Sequence, residues 1–282
     1  MDTDAYFEAN RRIWDEWAAV HMRGNPTYPV EQFKAGEVGQ KPNLPDDIGP
    51  VAGKSILHLQ CHFGLDTLMW ARQGARIVGV DFSETAIEGA RALNDDLELD
   101  AEFLQSNLYA LPDVLTGEYD IVLTYYGALP WLPDLGRWAE VAAHLLKPGG
   151  FLYIADLHPF VNMIEGGDPA IDEPYLAYTY SSNGVPQRSD SGGGTYAAPD
   201  AQTVHRINYQ WKHRMADIIN AVASAGLRIE LLHEFPYTFF DVFDWPPSGV
   251  VGRMEQDANG WWRLAGSLDL PLMFSLKARR EK

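Results

Sequence analysis

The chain has 282 residues, 46% of them hydrophobic and 22% charged, which is enough apolar material for one large domain with a buried core. A net charge of -17 repels phosphate backbones and argues against nucleic acid as a partner. One cysteine, Cys61, excludes an intrachain disulfide, and no apolar run approaches the roughly 20 residues that a membrane helix needs. With a polar, acidic N-terminus (MDTDAYFEANRR), the expectation is a cytoplasmic protein that does not engage a membrane.

Residues 5–22 space Tyr6, Phe7, Ile13, Trp14 and Trp17 among charges at helical intervals, and residues 24–50, rich in Pro and Gly, read as a long connection. Together, 1–50 read as an N-terminal helical cap and linker. An alternating pattern then runs through 51–282. Strands are expected at 54–59, 75–80, 102–105, 119–124 and 151–155. Helices are expected at 65–73, from the natural N-cap Ser83 onward, and at 134–146, the last stopped by Lys147-Pro148-Gly149-Gly150. Residues 156–210 break the rhythm and read as an insertion. A helix at 211–225 and a strand at 227–233 follow. An irregular insertion at 235–266 contains Trp245-Pro246-Pro247, and a last strand is expected at 270–276. Strands that alternate with helices imply right-handed parallel crossovers, so the fold class is α/β, a doubly wound Rossmann-like sheet. Ligands of such sheets sit at the carboxyl ends of the strands.

The strongest local signal is residues 56–91, ILHLQCHFGLDTLMWARQGARIVGVDFSETAIEGAR. The first strand-to-helix turn offers backbone N–H groups, and Gly64 lets that backbone approach a ligand. Asp81, at the end of the second strand, is placed to accept both hydroxyls of a ribose, and Phe82 to pack on an adenine. The bland alternative for Asp81 is a solvated strand end or helix cap. No His, Cys or Asp cluster has metal spacing, and no Ser-His-Asp elbow or P-loop is present, so no metal is expected.

On these residues the chain resembles the class I S-adenosylmethionine-dependent methyltransferases, the type-11 and type-25 groups, over about residues 54–155, with a looser echo at 211–277. The resemblance implies a mostly parallel seven-stranded sheet with a final antiparallel strand, and S-adenosyl-L-methionine as cofactor. The first turn departs from the family pattern of an acidic residue followed by alternate glycines. His58 holds the acidic position, Gln60 and His62 replace the first two glycines, and Gly64 remains. Gln60, Cys61, His62 and Gly64 are therefore expected around the cofactor. By the same resemblance, Asn107 offers its carbonyl to the adenine amine and Leu108 its backbone N–H; a turn-forming role for Asn107 is the alternative. Tyr125 and Tyr126 are expected along the cofactor cleft, with Trp131 close by, though simple packing explains such residues equally well. His158, just past the fifth strand, is a candidate general base with Tyr126, against the alternative of a loop histidine bonded to the backbone.

Trp14, Trp131, His158 and Tyr178 are candidate substrate contacts, because an aromatic wall suits an apolar or cationic organic molecule. The implied reaction is methyl transfer to an O, N or C atom of a small organic acceptor by direct displacement, in which alignment and water exclusion supply most of the catalysis. Segments 1–30 and 156–210 are expected to cover the cleft. A non-catalytic cofactor-binding or regulatory module is the alternative. A nicotinamide-dependent dehydrogenase ranks below it, because the first turn lacks G-x-G-x-x-G. A homo-oligomer is left open.

Overall fold

The computed structural model describes residues 3–38, 44–165, 175–242, 254–258, 260–266 and 269–282. Its centre is a sheet of seven strands: β1 (Ser55–Leu59), β2 (Arg76–Asp81), β3 (Ala101–Gln105), β4 (Tyr119–Tyr125), β5 (Leu146–Leu157), β6 (Leu227–Phe235) and β7 (Met273–Arg280). Their order is β6-β7-β5-β4-β1-β2-β3. The first five pair in parallel, and β7 runs antiparallel to both β5 and β6. This is the expected α/β sheet with a final antiparallel strand. The chain winds from β1 out to β3, then returns to β4 beside β1. That reversal opens a crevice at the carboxyl ends of β1 and β4.

Helices cover both faces. Helix α1 (Thr3–His21) lies over α3 (Glu84–Asp96), which follows α2 (Leu65–Ala71). Helices α4 (Leu135–His144) and α5 (Met215–Ser224) pack together on the opposite face. Ser83 caps α3 as expected, its hydroxyl accepting the Ala86 N–H at 3.1 Å. The hydroxyl proton goes to Asp15 Oδ1 at 2.6 Å, which anchors α1 to that helix start.

Three boundaries differ from expectation. Lys147-Pro148-Gly149-Gly150 is not a loop but an irregular start of β5, where the pairing with β4 slips between Tyr119 and Ile121. Gly149 has φ +82°, and a Cβ on Gly150 would stand 2.9 Å from the Asp120 carbonyl oxygen, so the close backbone approach needs glycine there. Helix α5 begins four residues later than expected, because Trp211 N–H is bonded to Pro130 O at 2.7 Å and Arg214 opens the helix. The last strand runs to Arg280. Its charged end was missed because Lys277 and Arg279 lay their stems and charges over the Phe151 ring, where an apolar pattern does not register.

The insertions carry short hairpins, Gln187–Asp190 with Ile207–Gln210 and Met254–Gln256 with Trp262–Leu264, and the linker holds short helices at Val30–Lys34 and Leu44–Ile48. The Trp245-Pro246-Pro247 stretch lies outside the described residues. Among the described residues, no helix is long and apolar enough to cross a membrane.

Candidate active site

A cavity open to solvent at its mouth lies at the crevice. Its floor is the β1–α2 turn (His58, Gln60, Cys61, His62 and Phe63), with Leu65 and Asp66 from the start of α2. Asp81 and Phe82 come from the end of β2, and Tyr125 to Ala128 from the end of β4. Trp14, Tyr28, Trp131 and Tyr196 form the roof.

The floor turn keeps a glycine-like backbone without the glycines. Gln60 has φ 55° and His62 φ 53°, and Tyr126 across the cavity has φ 60°. Such conformations cost non-glycine residues on the order of 1–2 kcal/mol each and persist only where surrounding bonds over-determine them. Those bonds are present. Cys61 N–H donates to Val80 O at 2.9 Å, His62 N–H to Asp81 Oδ2 at 2.9 Å, and Gln60 Nε2 to Ala128 O at 3.0 Å. Gly64 ends the turn with φ +76°.

Asp81 is buried, and each carboxylate oxygen accepts one backbone N–H, from His62 at Oδ2 and from Ser83 at Oδ1, the latter at 2.9 Å. The Phe82 N–H also acts on this carboxylate, and its roughly four lone pairs leave room for a further donor. Burial pushes its pKa up to about 6 against the lowering effect of those bonds. Asp156, at the end of β5, is held likewise: Oδ1 accepts from Gly127 and Leu157 at 2.7 Å, Oδ2 accepts from Leu129 at 3.2 Å, and burial raises its pKa to about 6. Asp156 thus shapes the Tyr126–Leu129 loop, a role hidden from sequence reading because the strand extends two residues further than its apolar run.

His58 is a neutral stand-in at the family's acidic position. Burial holds its pKa down to about 3, Nδ1 pairs with Thr67 Oγ1 at 2.8 Å, and the ring stacks on Tyr125 at 4.5 Å. Among the lining residues there is no Lys or Arg, and the carboxylates are buried Asp81 and half-exposed Asp66. Such a wall favours a cationic or neutral occupant.

Gln60, Cys61, His62, Asp81, Phe82, Tyr125, Tyr126, Trp14 and Trp131 all line the cavity, and Gly64 lies directly beneath it. Four expected residues are elsewhere. Asn107 Oδ1 accepts the Tyr109 N–H at 3.0 Å and caps a short 3-10 helix, the turn-forming alternative, while Leu108 is in the core. His158 is buried away from the cavity. Its Nδ1 accepts the Phe160 N–H at 3.1 Å, and Nε2 lies 2.9 Å from Glu234 Oε1 on β6 without forming a well-directed hydrogen bond. Tyr178 is 46% exposed beneath the Lys212 ammonium, outside the cavity. Tyr28 and Tyr196, whose hydroxyls bond to each other, join the site; both lie in the segments 1–30 and 156–210 expected to cover the cleft.

The roof is tied to the hairpin of the first insertion. Asn10 exchanges two bonds with the Tyr209 backbone, each 2.8 Å. Glu16 receives the backbone N–H groups of Val204 and His205. Trp14 meets Trp17 and Trp131 edge-on at 5.2 and 5.1 Å.

Residues 56–150 match the family model described as a methyltransferase domain. Among curated proteins, the chain is similar to the ubiquinone biosynthesis O-methyltransferase of Pectobacterium atrosepticum, 25% identical over 55% of this chain and 60% of that enzyme. It is also similar to the demethylmenaquinone methyltransferase of Lactococcus lactis, 36% identical over 40% of this chain and 46% of that enzyme. The matched stretch covers less than two thirds of each of these relatives. Among solved structures, an S-adenosylmethionine-dependent methyltransferase from Mesorhizobium loti superposes with a TM-score of 0.57 at 23% identity, covering 85% of this chain and 96% of that one. At that identity the likeness establishes the fold.

The raised pKa of Asp81 gives a pH prediction. A protonated Asp81 cannot accept two ribose hydroxyls, so S-adenosylhomocysteine affinity should rise from pH 5 to 7 and level off above the carboxyl's pKa of about 6. Calorimetry across that range checks it, and Asp81→Asn should flatten the profile; a slope that survives the substitution belongs to Asp156 instead. The stability sign is opposite. Both groups hold protons in the folded state that the unfolded chain, at its ordinary carboxylate range, has lost. Their contribution is complete below about pH 4 and disappears as pH rises through about 6.

Proposed function

We propose that the protein, whose residues 56–150 match the methyltransferase domain model, binds S-adenosylmethionine in this cavity and transfers its methyl group to an O, N or C atom of a small organic acceptor. The observation that carries the reading is Asp81: a buried carboxylate at the end of β2 beside the cavity, with acceptor capacity beyond its backbone partners.

The remaining residues fit that occupant. Gln60 donates through Nε2, which assigns Oε1 as a buried acceptor with no partner among the described residues; the cofactor's ammonium supplies the missing donor. Phe82 offers an apolar face to the adenine. When bound, S-adenosylmethionine supplies an already activated methyl group. The chain's task is then to align the acceptor and exclude water, which falls to Trp14, Trp131, Tyr28 and Tyr196. We assign α1 and the 187–210 hairpin as the substrate cover, since both are bonded to each other and both place aromatics over the cavity. Burial holds the lining histidines His58 and His62 neutral and weakly basic, so the acceptor arrives as a nucleophile. The printed names of the curated relatives, ubiquinone biosynthesis O-methyltransferase and demethylmenaquinone methyltransferase, support a small organic acceptor.

Calorimetry tests the reading. S-adenosylhomocysteine should bind with a micromolar Kd; failure of both it and S-adenosylmethionine, with clear NAD binding, would sink the proposal.

A further inference from the structure

A buried line of hydrogen bonds runs from the cover to the floor turn. Thr195 and His21 are fully buried. Thr195 Oγ1 accepts the N–H groups of Ala197 at 3.2 Å and Ala198 at 2.9 Å. A hydroxyl oxygen has two lone pairs and one proton. With both lone pairs engaged, the proton must go to the remaining partner, His21 Nε2 at 2.9 Å.

Burial holds the His21 pKa down to about 3, so its ring is neutral. A neutral imidazole that accepts at Nε2 carries its proton on Nδ1. That N–H faces His62 Nε2 at 2.9 Å, which must accept it. His62 is neutral too, pushed down by burial and by His21, so its own proton is on Nδ1. Among the described residues, Nδ1 of His62 has no partner, and the ring lines the cavity. The backbone N–H of the same residue rests on Asp81.

We infer that His62 is a fixed hydrogen-bond donor into the cavity, with its polarity set by Thr195 through His21, and that its Nδ1–H meets an oxygen of the bound adenosyl ligand, either carboxylate or ribose hydroxyl. The inference rests on the cofactor reading above. His21 and Thr195 are positioning residues, because they act through His62. The same polarity forbids His62 from serving as a base: reversing the chain would ask Thr195 Oγ1 to accept a third hydrogen bond.

Nitrogen-15 NMR of histidine-labelled protein at pH 7 reads the tautomers directly. Both His21 and His62 should carry the proton on Nδ1; a proton on Nε2 of His62, or an imidazolium, overturns the inference without any variant. Thr195→Val should release both rings into a tautomer average and weaken S-adenosylhomocysteine binding about tenfold, the worth of one hydrogen bond. Thr195→Ser should restore both readouts. 5′-Methylthioadenosine, which keeps the ribose and lacks the carboxylate, separates the two oxygens. Loss for S-adenosylhomocysteine alone assigns the carboxylate, and equal loss for both assigns the ribose. Unchanged affinity for both, in a variant whose tautomers have been released, overturns the donor role. Failure of the parent protein to bind either ligand would instead retire the cofactor reading.

Discussion

Asp81→Asn should lower S-adenosylhomocysteine affinity about a hundredfold at pH 8, where the parent carboxyl is ionised. Hydrogen bonds to a charged acceptor are worth roughly 1.5–3 kcal/mol each, and the amide can serve at most one ribose hydroxyl through a neutral oxygen. The substitution keeps the side-chain volume. It turns one N–H-accepting oxygen into an NH2 group, facing either His62 N–H or Ser83 N–H, so the floor turn loses a bond as well. A thermal melt recorded beside the calorimetry separates the two effects. Affinity equal to the parent's, in a folded variant, would remove Asp81 from the ribose.

Gly64→Ala should destabilise the protein by about 3 kcal/mol. The left-handed φ of +76° costs an alanine roughly 1–2 kcal/mol. Its Cβ would also stand 2.6 Å from Phe103 Cε1 and 3.0 Å from Ala90 Cβ, an overpacking that costs roughly 1–3 kcal/mol. Phe103 is a buried ring on β3 and cannot swing aside as a surface side chain would. Urea unfolding measures the loss. Gly127→Ala is the control: φ is +86° there, but no atom lies within 4 Å of the new Cβ, so the backbone cost alone should appear. Equal effects at both sites would mean that Phe103 yields and that the packing half of the argument is wrong.

The sheet and the floor of the cavity were legible in the sequence because their signals are local. Apolar runs alternating with helical stripes specify a parallel α/β sheet, and a strand-end Asp81 and a turn glycine at Gly64 are each defined by a few neighbouring residues. Even the departures at Gln60 and His62 were visible as substitutions at glycine positions. That the backbone there keeps φ near 55° was not visible, because the bonds that enforce it come from Val80, Asp81 and Ala128. His158 shows the limit from the other side. Its place past β5 suggested a base, and only the tertiary structure showed that the ring packs toward Glu234 on β6 and does not line the cavity.

The roof was legible only in part. Trp14 and Trp131 could be suspected as aromatics outside the core strands. Their meeting with Tyr28 and Tyr196, and the Thr195–His21–His62 line, whose His21–Thr195 link spans 174 residues, could not. Sequence by itself determined what each segment can bury and how it winds, since hydrophobic periodicity and turn chemistry act within a few residues. Which polar groups face one another across the cavity, and so which nitrogen of a histidine carries the proton, was decided by the tertiary structure alone. Hydrogen bonds between distant segments depend on where the folded sheet delivers their ends.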